Sequence, residues 1–215
     1  TPHGQGKWNI DELICREYKM SFQIVADFEN AISKFYGSPY AVAVDSCTHS
    51  IELCLRYKKI KKFTLPTRTY LSIAFLGDKL GIDWDWKEED WVNYYYLGGT
   101  NIIDAAVLWK ENSYIPDTFM CLSFQFQKHL NLGRGGMILT DKKEARDQLK
   151  RMSYDGREPD IPWRDQNIKS VGYHYYMTPE TAQRGLEKLS DAIKTKPRQW
   201  VIKDWPDLKN MDIFK

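Results

Sequence analysis

The chain lacks a strong excess of one charge, a long apolar run and any internal repeat. Its 215 residues include 31 Lys and Arg against 29 Asp and Glu, so the formal net charge is only +2. Nucleic acid is therefore not favoured as the main partner, because phosphate binding normally requires a basic excess or stripe. No apolar run approaches the length that spans a membrane, and the polar residues 1–9 do not resemble a signal peptide.

Cysteine is scarce, and its spacing matches neither a metal site nor a disulfide framework. The positions are Cys15, Cys47, Cys54 and Cys121. Free thiols in the reducing cytoplasm fit this pattern better than disulfide bonds, so we expect a cytoplasmic protein without a membrane segment. The chain length suits one substantial core and a small appendage, not two full domains. We expect one domain over residues 1–195 and a C-terminal tail over 196–215.

The chain does contain a regular succession of short apolar runs and amphipathic segments, which is typical of an α/β fold. Apolar residues recur at three- and four-residue steps from Phe22 to Phe35, which predicts a helix that ends before Gly37. Further helices are predicted over 51–57, 71–80 and 180–194. Another is predicted to begin after its cap Asp141 and to end at about Tyr154. Strands are predicted over 40–44, 62–66, 82–86, 91–97, 102–103, 120–122 and 137–140.

Chemically useful side chains lie at the ends of two of these apolar strands. One strand ends in Asp104, and another ends in Ser123, with Lys128 five residues later. Because ligands bind beyond the carboxyl ends of strands in an open α/β sheet, we expect these three side chains to converge on one site. A lysine that forms a Schiff base, a serine for a phosphate and an aspartate for a pyridinium nitrogen are what pyridoxal phosphate (PLP) requires.

Two turns add further candidates for binding a phosphorylated ring. Ser46, Cys47 and Thr48 precede a helix, where free backbone N–H groups attract an anion. An ordinary helix cap is the alternative interpretation of this turn, and it stays open. Tyr70 stands at the start of the helix 71–80, where its ring either covers a flat ligand or packs against the protein.

Taken in this order, the motifs resemble those of the DegT/DnrJ/StrS family of PLP-dependent sugar aminotransferases, over about residues 28–189. The turn at Ser46 is similar to the family's Ser-Gly-Thr phosphate turn, and residues 66–70 are similar to its Pro…Thr-aromatic motif. Asp104 with the two following alanines matches the aspartate that pairs with the pyridine nitrogen. Ser-Phe at 123–124 followed by Lys128 matches the motif Ser-Phe-x-x-x-Lys.

The resemblance implies a three-layer α/β/α fold with a mainly parallel sheet, like the large domain of aspartate aminotransferase. It also implies a homodimer with shared active sites, in which PLP is bound through Lys128. The catalytic residues would be Lys128, which moves protons, and Asp104, which keeps the pyridine nitrogen protonated. The other cofactor-binding residues implied are Ser46, Cys47, Thr48, Tyr70, Ser123 and, from the second subunit, His174.

The implied reaction moves an amino group from an amino acid, L-glutamate in this interpretation, to a keto-sugar linked to a nucleotide, as in polysaccharide biosynthesis. Several positions depart from the family pattern: Val107 replaces a Gln, Cys47 a Gly, His174 an Asn and Tyr176 an Arg. Only 33 residues separate Tyr70 from Asp104, where the family usually has an additional strand-helix-strand unit. We also expect the family's C-terminal small domain to be largely missing.

Two alternatives to this reaction stay open. The departures at Val107 and Tyr176 fit a degenerate, non-catalytic protein of the same fold, which would turn over no amino donor. A different PLP enzyme that acts on another acceptor, such as a modified nucleotide, is the second alternative. A related branch of the family catalyses dehydration and carries a histidine in place of the lysine, so Lys128 favours transamination.

Overall fold

The computed structural model describes residues 10–215, with side chains from Phe22 onward. The polar segment 1–9 and the side chain of Cys15 lie outside the described residues. The helices are α1 (Ile10–Tyr36), α2 (Cys47–Tyr57), α3 (Leu71–Leu80), α4 (Lys143–Ser153) and α5 (Pro179–Lys194). The strands are β1 (Tyr40–Val44), β2 (Lys62–Pro66), β3 (Asp83–Lys87), β4 (Tyr95–Tyr96), β5 (Ile102–Asp104), β6 (Phe119–Ser123) and β7 (Gly136–Thr140). Among the described helices none is long and apolar enough to cross a bilayer.

The main sheet has five strands in the order β1-β7-β6-β5-β4, and its strand directions are mixed. Within it only β5 and β6 run parallel, whereas β1–β7, β6–β7 and β4–β5 are antiparallel. The α/β class is therefore confirmed, and the expectation of a mainly parallel sheet is corrected. The physical reason lies partly in the connection from β6 to β7. Phe124 N–H donates to Gly135 O at 2.9 Å, so the chain doubles back without the crossover that a parallel neighbour needs.

Helices cover both faces of this sheet, which confirms the three layers. Alternate residues of β1 show the division, because Val42 and Val44 belong to the core beneath α2 and α4. Ala41 and Ala43 point the other way, into the core beneath α1 and α5. Side chains of successive strand residues point to opposite faces, so one apolar strand serves two cores.

The close approach of α5 to α1 depends on a glycine. A Cβ atom on Gly185 would lie 2.5 Å from the Phe28 ring, which is fully buried. Phe28 in turn packs on Phe124 from the chain after β6, with ring centroids 5.5 Å apart. Burying a phenylalanine side chain contributes about 1.5–3 kcal/mol, so this contact helps to fix the layer that supports the site.

The predicted strand 91–97 is largely irregular, and only β4 pairs regularly with the sheet. The backbone of Asn93 has a φ angle of 66°, and Val92 forms an isolated bridge with Tyr94, so the chain turns within the predicted run. The other predicted aromatic strand is β3, which pairs in parallel with β2 in a separate two-stranded sheet.

The C-terminal strap, residues 196–215, crosses the body on the side of this small sheet. Arg68 donates a side-chain hydrogen bond to Trp205 O at 2.9 Å, and Leu208 N–H donates to Thr67 O at 2.9 Å. Leu208 is almost completely buried. The rings that the strap packs against or contributes are Phe75, Trp84, Trp86, Trp91, Trp205 and Phe214.

Candidate active site

The carboxylate of Asp104 lies at the end of β5, opposite Tyr95 of β4. Because the two residues are partners in the β4–β5 register, their side chains project from the same face of the sheet. Tyr95 Oη donates to Asp104 Oδ2 at 2.8 Å, and Ala106 N–H donates to Oδ1 at 3.0 Å. Asp104 is only 5% exposed. Burial raises its pKa, although the Ala106 N–H, the Tyr95 hydroxyl and the charge of Lys128 oppose the rise.

A directed chain of hydrogen bonds leads to this carboxylate. Burial raises the pKa of Tyr95 well above its ordinary value, so its hydroxyl stays protonated. The single proton goes to Asp104, and the Tyr95 oxygen therefore accepts from Thr69 Oγ1 at 2.6 Å. The motifs in the sequence did not single out Tyr95. Its signal was the aromatic run before Asp104, which we interpreted only as a strand.

Lys128 approaches the same site from the connection between β6 and β7. Its backbone N–H donates to Gln125 O at 2.8 Å, which closes a tight turn below the side chain. Burial lowers the pKa of the Lys128 amine. Asp104 and Cys47 act in the opposite sense, and Arg198 adds to the lowering. A lowered pKa increases the fraction of neutral amine, which is the form that attacks a carbonyl carbon.

Asp104 and Lys128 lie close enough for the charge of each to act on the pKa of the other. Ser123 lines the same cavity as Lys128. These are the three strand-end residues that were expected to converge.

The turn Ser46-Cys47-Thr48 sits at the N-terminus of α2, close to β7. Ser46 is the N-cap, and its Oγ accepts from His49 N–H at 3.1 Å. Within the described residues no hydrogen-bond partner occupies the N–H groups of Cys47 and Thr48, which remain available to an anion. Gly136 is required here, because a Cβ atom would lie 2.3 Å from the carbonyl carbon of Ser46.

The Cys47 side chain points away from this turn and into the core. Its Sγ lies 4.0 Å from Asp104 Oδ1 and 3.5 Å from Cys121 O. Burial raises the pKa of the thiol well above its ordinary value, so the group stays neutral beside the carboxylate. Cys47 can therefore reach a phosphate with its backbone only. The described cysteines Cys47, Cys54 and Cys121 are all free.

Charged and aromatic groups contact the Ser46-Cys47-Thr48 turn from outside. Asp45 accepts from Arg134 Nη2 at 3.0 Å and lies 2.6 Å from His49 Nδ1. The His49 ring stacks on Tyr175 with centroids 3.6 Å apart. Tyr175 O also accepts from Asp45 N–H at 2.8 Å, which fastens the loop 172–177 to this end of β1.

Two candidate residues lie on the surface of the chain. The His174 side chain is 73% exposed, and its Nδ1 lies 2.8 Å from Asp155 Oδ2. The structure does not place it beside Lys128, and its contribution to a second subunit's site stays a prediction. Tyr70 is 61% exposed at the N-terminus of α3. Its stacking on a cofactor likewise stays a prediction.

A cavity of about 260 Å³ opens beside the lysine. Its wall includes Val107, and Pro197, Arg198 and Trp200 of the strap close it on one side. The lining side chains that matter here are Val107, Trp109, Ser123, Lys128, Arg198 and Trp200. Sequence reasoning missed Arg198 and Trp200, because the strap carries no motif that connects it with the lysine.

Known proteins resemble this chain in sequence and in fold. The model of the DegT/DnrJ/EryC1/StrS aminotransferase family matches residues 11–76 and 116–201. An uncharacterized protein of Methanocaldococcus jannaschii, MJ1066, is 26% identical over 204 residues, which are 90% of this chain and 50% of that protein.

Two solved structures show the same fold at low sequence identity. AtS13 from Actinomadura melliaura superposes with a TM-score of 0.66 at 19% identity, over 80% of this chain and 60% of its own. The sugar aminotransferase CalS13 from Micromonospora echinospora also gives a TM-score of 0.66, at 14% identity, over 80% of this chain and 61% of its own. The chain thus spans about half of the curated relative and about 60% of these solved structures.

Proposed function

This chain belongs to the DegT/DnrJ/EryC1/StrS family of PLP-dependent aminotransferases, and we propose that it is itself such an enzyme, with Lys128 as its catalytic lysine. One observation carries the proposal. The amine of Lys128, with a pKa lowered by burial, shares a site with the buried carboxylate of Asp104. Buried ionisable groups with shifted pKa values that act on each other are typical of functional sites, so the pair supports a site for a cationic or electrophilic ligand.

The residues present fit PLP. Asp104 would hold the protonated pyridine nitrogen, because an ionised carboxylate favours a cationic neighbour and two donors already orient its oxygens. The free N–H groups at the start of α2, together with Ser123, would hold the phosphate. Bound at this site, PLP would supply an electrophilic carbon and a ring that accepts electrons from the substrate.

The chain's own groups would then orient the substrate and move its protons. Lys128 Nζ takes a proton from the α-carbon of the amino donor and returns one to the carbon that receives the amino group. Trp200 and the strap limit the access of water to this amine, since the Trp200 ring centroid lies 4.9 Å from Lys128 Nζ. Tyr95 and Ala106 keep the carboxylate of Asp104 in place during both proton transfers.

The finer parts of the proposal concern substrates and assembly. We take L-glutamate as the amino donor, a nucleotide-linked keto-sugar as the acceptor, and a cytoplasmic homodimer as the working form. The description of CalS13 as a sugar aminotransferase supports the acceptor. The exposed side chains of Tyr70 and His174 support a second subunit that completes each site.

Visible absorbance of the purified protein with added PLP tests this function. We expect a band that depends on Lys128, that disappears in Lys128→Ala and that bleaches when L-glutamate is added. Lys110→Ala, which removes an exposed lysine, is the matched control and should behave as wild type. A band that ignores every amino donor would favour the degenerate protein or another PLP reaction. If no band depends on Lys128, the enzyme proposal is wrong.

A further inference from the structure

Another buried carboxylate, that of Glu52 in α2, lies outside the cavity beside the lysine. Its side chain is fully buried, and Arg56 Nη2 and Lys79 Nζ each lie 2.8 Å from one of its oxygens. Tyr175 Oη donates to Oε1 at 3.2 Å and accepts from Lys79 Nζ at 3.2 Å. Burial alone would raise the pKa of Glu52, but the hydrogen bonds and charges of Lys79 and Arg56 outweigh it and lower the pKa. The carboxylate therefore stays ionised at neutral pH and holds three donors.

Tyr175 connects this carboxylate with the start of the same helix. While its hydroxyl is held by Glu52, its ring stacks on His49, with centroids 3.6 Å apart and planes 8° apart. Its backbone carbonyl accepts from Asp45 N–H at 2.8 Å. One residue therefore contacts both sides of the turn Ser46-Cys47-Thr48, at Asp45 before the turn and at His49 after it.

The internal contacts of the turn pass through the same two residues. Ser46 Oγ accepts from His49 N–H at 3.1 Å and lies 3.3 Å from Asp45 Oδ1. His49 Nδ1 lies 2.6 Å from Asp45 Oδ1. An anion at the two N–H groups that follow Ser46 needs both donors aligned, because a hydrogen bond weakens steeply as it bends. Whatever holds Asp45 and His49 in place therefore sets the direction of these donors.

Only one face of the loop 172–177 joins this network. Tyr173 stacks on Tyr175 with centroids 5.5 Å apart, and the guanidinium carbon of Arg56 lies 4.4 Å from the Tyr173 centroid. Tyr176 packs instead against Tyr154, with centroids 4.9 Å apart. Neighbouring tyrosines of one loop thus differ in whether they contact the residues around the turn.

We propose that Tyr175, held by the buried carboxylate of Glu52, is a positioning residue that aligns the turn Ser46-Cys47-Thr48 and so sets its affinity for a phosphate group. The inference rests on the proposed binding of the PLP phosphate at this turn and adds the residues that align it. Neither Glu52 nor Tyr175 lines the cavity beside Lys128, so the network acts on the phosphate end of the cofactor and not on its ring.

Pyridoxal, which carries the aldehyde of PLP but no phosphate, separates the two ends of the cofactor. In absorbance titrations of Tyr175→Ala, the dissociation constant of PLP should rise by about 10- to 100-fold, the loss expected for a hydrogen bond to a charged group. The dissociation constant of pyridoxal should not change. Tyr175→Phe keeps the ring on His49 and loses only the hydroxyl, so its loss should be smaller. Glu52→Gln removes the charge that holds this hydroxyl and should resemble Tyr175→Phe.

Two matched variants control for a merely structural role. Glu29 is also a buried carboxylate that pairs with a lysine, Lys150 at 2.6 Å, so Glu29→Gln disturbs the core without touching the turn. Tyr176→Phe removes a hydroxyl from the same loop. Both variants should keep the wild-type ratio of PLP affinity to pyridoxal affinity. If Tyr175→Ala weakens PLP and pyridoxal equally, or leaves the affinity for PLP unchanged, the positioning role is wrong.

Inorganic phosphate separates this inference from the enzyme proposal. Isothermal titration calorimetry of the cofactor-free protein should show phosphate binding that Tyr175→Ala weakens and Glu29→Gln preserves. If no Lys128-dependent band forms but phosphate binding still requires Tyr175, the positioning role stands and the aminotransferase proposal fails. If wild type binds no phosphate and binds PLP no more tightly than pyridoxal, the turn is not a phosphate site and the inference is wrong.

Discussion

The part of the chain that matches the family model and the unmatched segments 77–115 and 202–215 contribute differently to the site. The matched residues, 11–76 and 116–201, contain the phosphate turn, Ser123 and Lys128. The intervening segment 77–115 contains Asp104 and its partner Tyr95. Lys128 thus comes from the matched part, whereas Asp104 and the two donors to its carboxylate come from the unmatched segment 77–115.

The divergent segments also pack against each other. Trp91 of segment 77–115 meets Trp205 of the strap with centroids 4.6 Å apart, and Trp86 meets Phe214 at 5.3 Å. Trp91 in turn lies 5.0 Å from Tyr95. The two segments that lie outside the family match therefore pack on each other and, through Trp91, on the tyrosine that donates to Asp104.

If the carboxylate of Asp104, in segment 77–115, takes part in the reaction, replacing it should have the largest effect on the rate. Asp104→Asn removes the charge that favours a protonated ring nitrogen, so the rate of bleaching by L-glutamate should fall at least about 100-fold. Stopped-flow absorbance measures this rate. The control is Asp85→Asn, an exposed carboxylate in the same segment, which should retain the wild-type rate. Equal rates for both variants would remove Asp104 from the mechanism.

Gly136→Ala tests the contact between β7 and the turn at Ser46, both of which lie in the residues that match the family model. The new Cβ atom would overlap the backbone of Ser46, with the carbonyl carbon only 2.3 Å away, so the strand and the phosphate turn must separate. We expect a loss of about 1–3 kcal/mol in the free energy of unfolding, together with weaker PLP binding. Urea denaturation and absorbance titration measure the two effects.

Gly99→Ala is the control for this glycine. Its φ angle is 81°, but nothing lies within 4 Å of an added Cβ atom. The change should cost only about 1 kcal/mol and leave PLP binding intact. Unaltered PLP affinity in Gly136→Ala would contradict the assignment of the turn as the phosphate site.

Trp205→Ala tests whether the strap stabilises segment 77–115 through the contact between Trp205 and Trp91. The side chain is partly buried against Trp91, so its removal should lower the free energy of unfolding by about 2 kcal/mol, less than for a fully buried tryptophan. Trp163→Ala, at a ring that is mostly exposed, should cost below about 0.5 kcal/mol. Similar losses in both variants, measured by urea denaturation, would mean that the strap does not stabilise segment 77–115.

The smallest expected effect comes from Tyr95→Phe. Removing the hydroxyl deprives Asp104 of one donor, so its already raised pKa should rise further and about 1 kcal/mol of stability should be lost at neutral pH. A group whose folded pKa is raised stabilises the protein below its unfolded pKa, and this stability is lost as pH rises through the folded pKa. The cofactor-free variant should therefore lose more stability than wild type as pH rises above about 4, the ordinary pKa of an aspartate.

Urea denaturation at several pH values measures this difference. Tyr96→Phe changes the neighbouring, half-exposed tyrosine and should follow the wild-type pH dependence. A Tyr95→Phe curve parallel to that of wild type would show that the hydroxyl does not act on the carboxylate.

Local patterns in the sequence predicted many of the elements. The helix 71–80 and the strands 40–44 and 62–66 have the predicted bounds, because apolar periodicity and flanking Gly and Pro residues act over a few positions. The proximity of Asp104 and Lys128 was also expected, since Asp104 ends β5 and Lys128 follows the end of β6 by five residues. The sequence did not predict the irregular backbone of residues 91–97. Their aromatic composition is typical of a strand, but the positive φ angle of Asn93 turns the chain.

By itself the sequence indicated the α/β class, the short apolar strands, and Asp104, Ser123 and Lys128 as candidate site residues. These properties depend on short-range periodicity and on residue type. Only the tertiary structure decided the mixed direction of the strands, the pairing of Tyr95 with Asp104, and the placement of Arg198 and Trp200 over the lysine. Each of these depends on contacts between residues far apart in the chain, whose geometry no local pattern encodes.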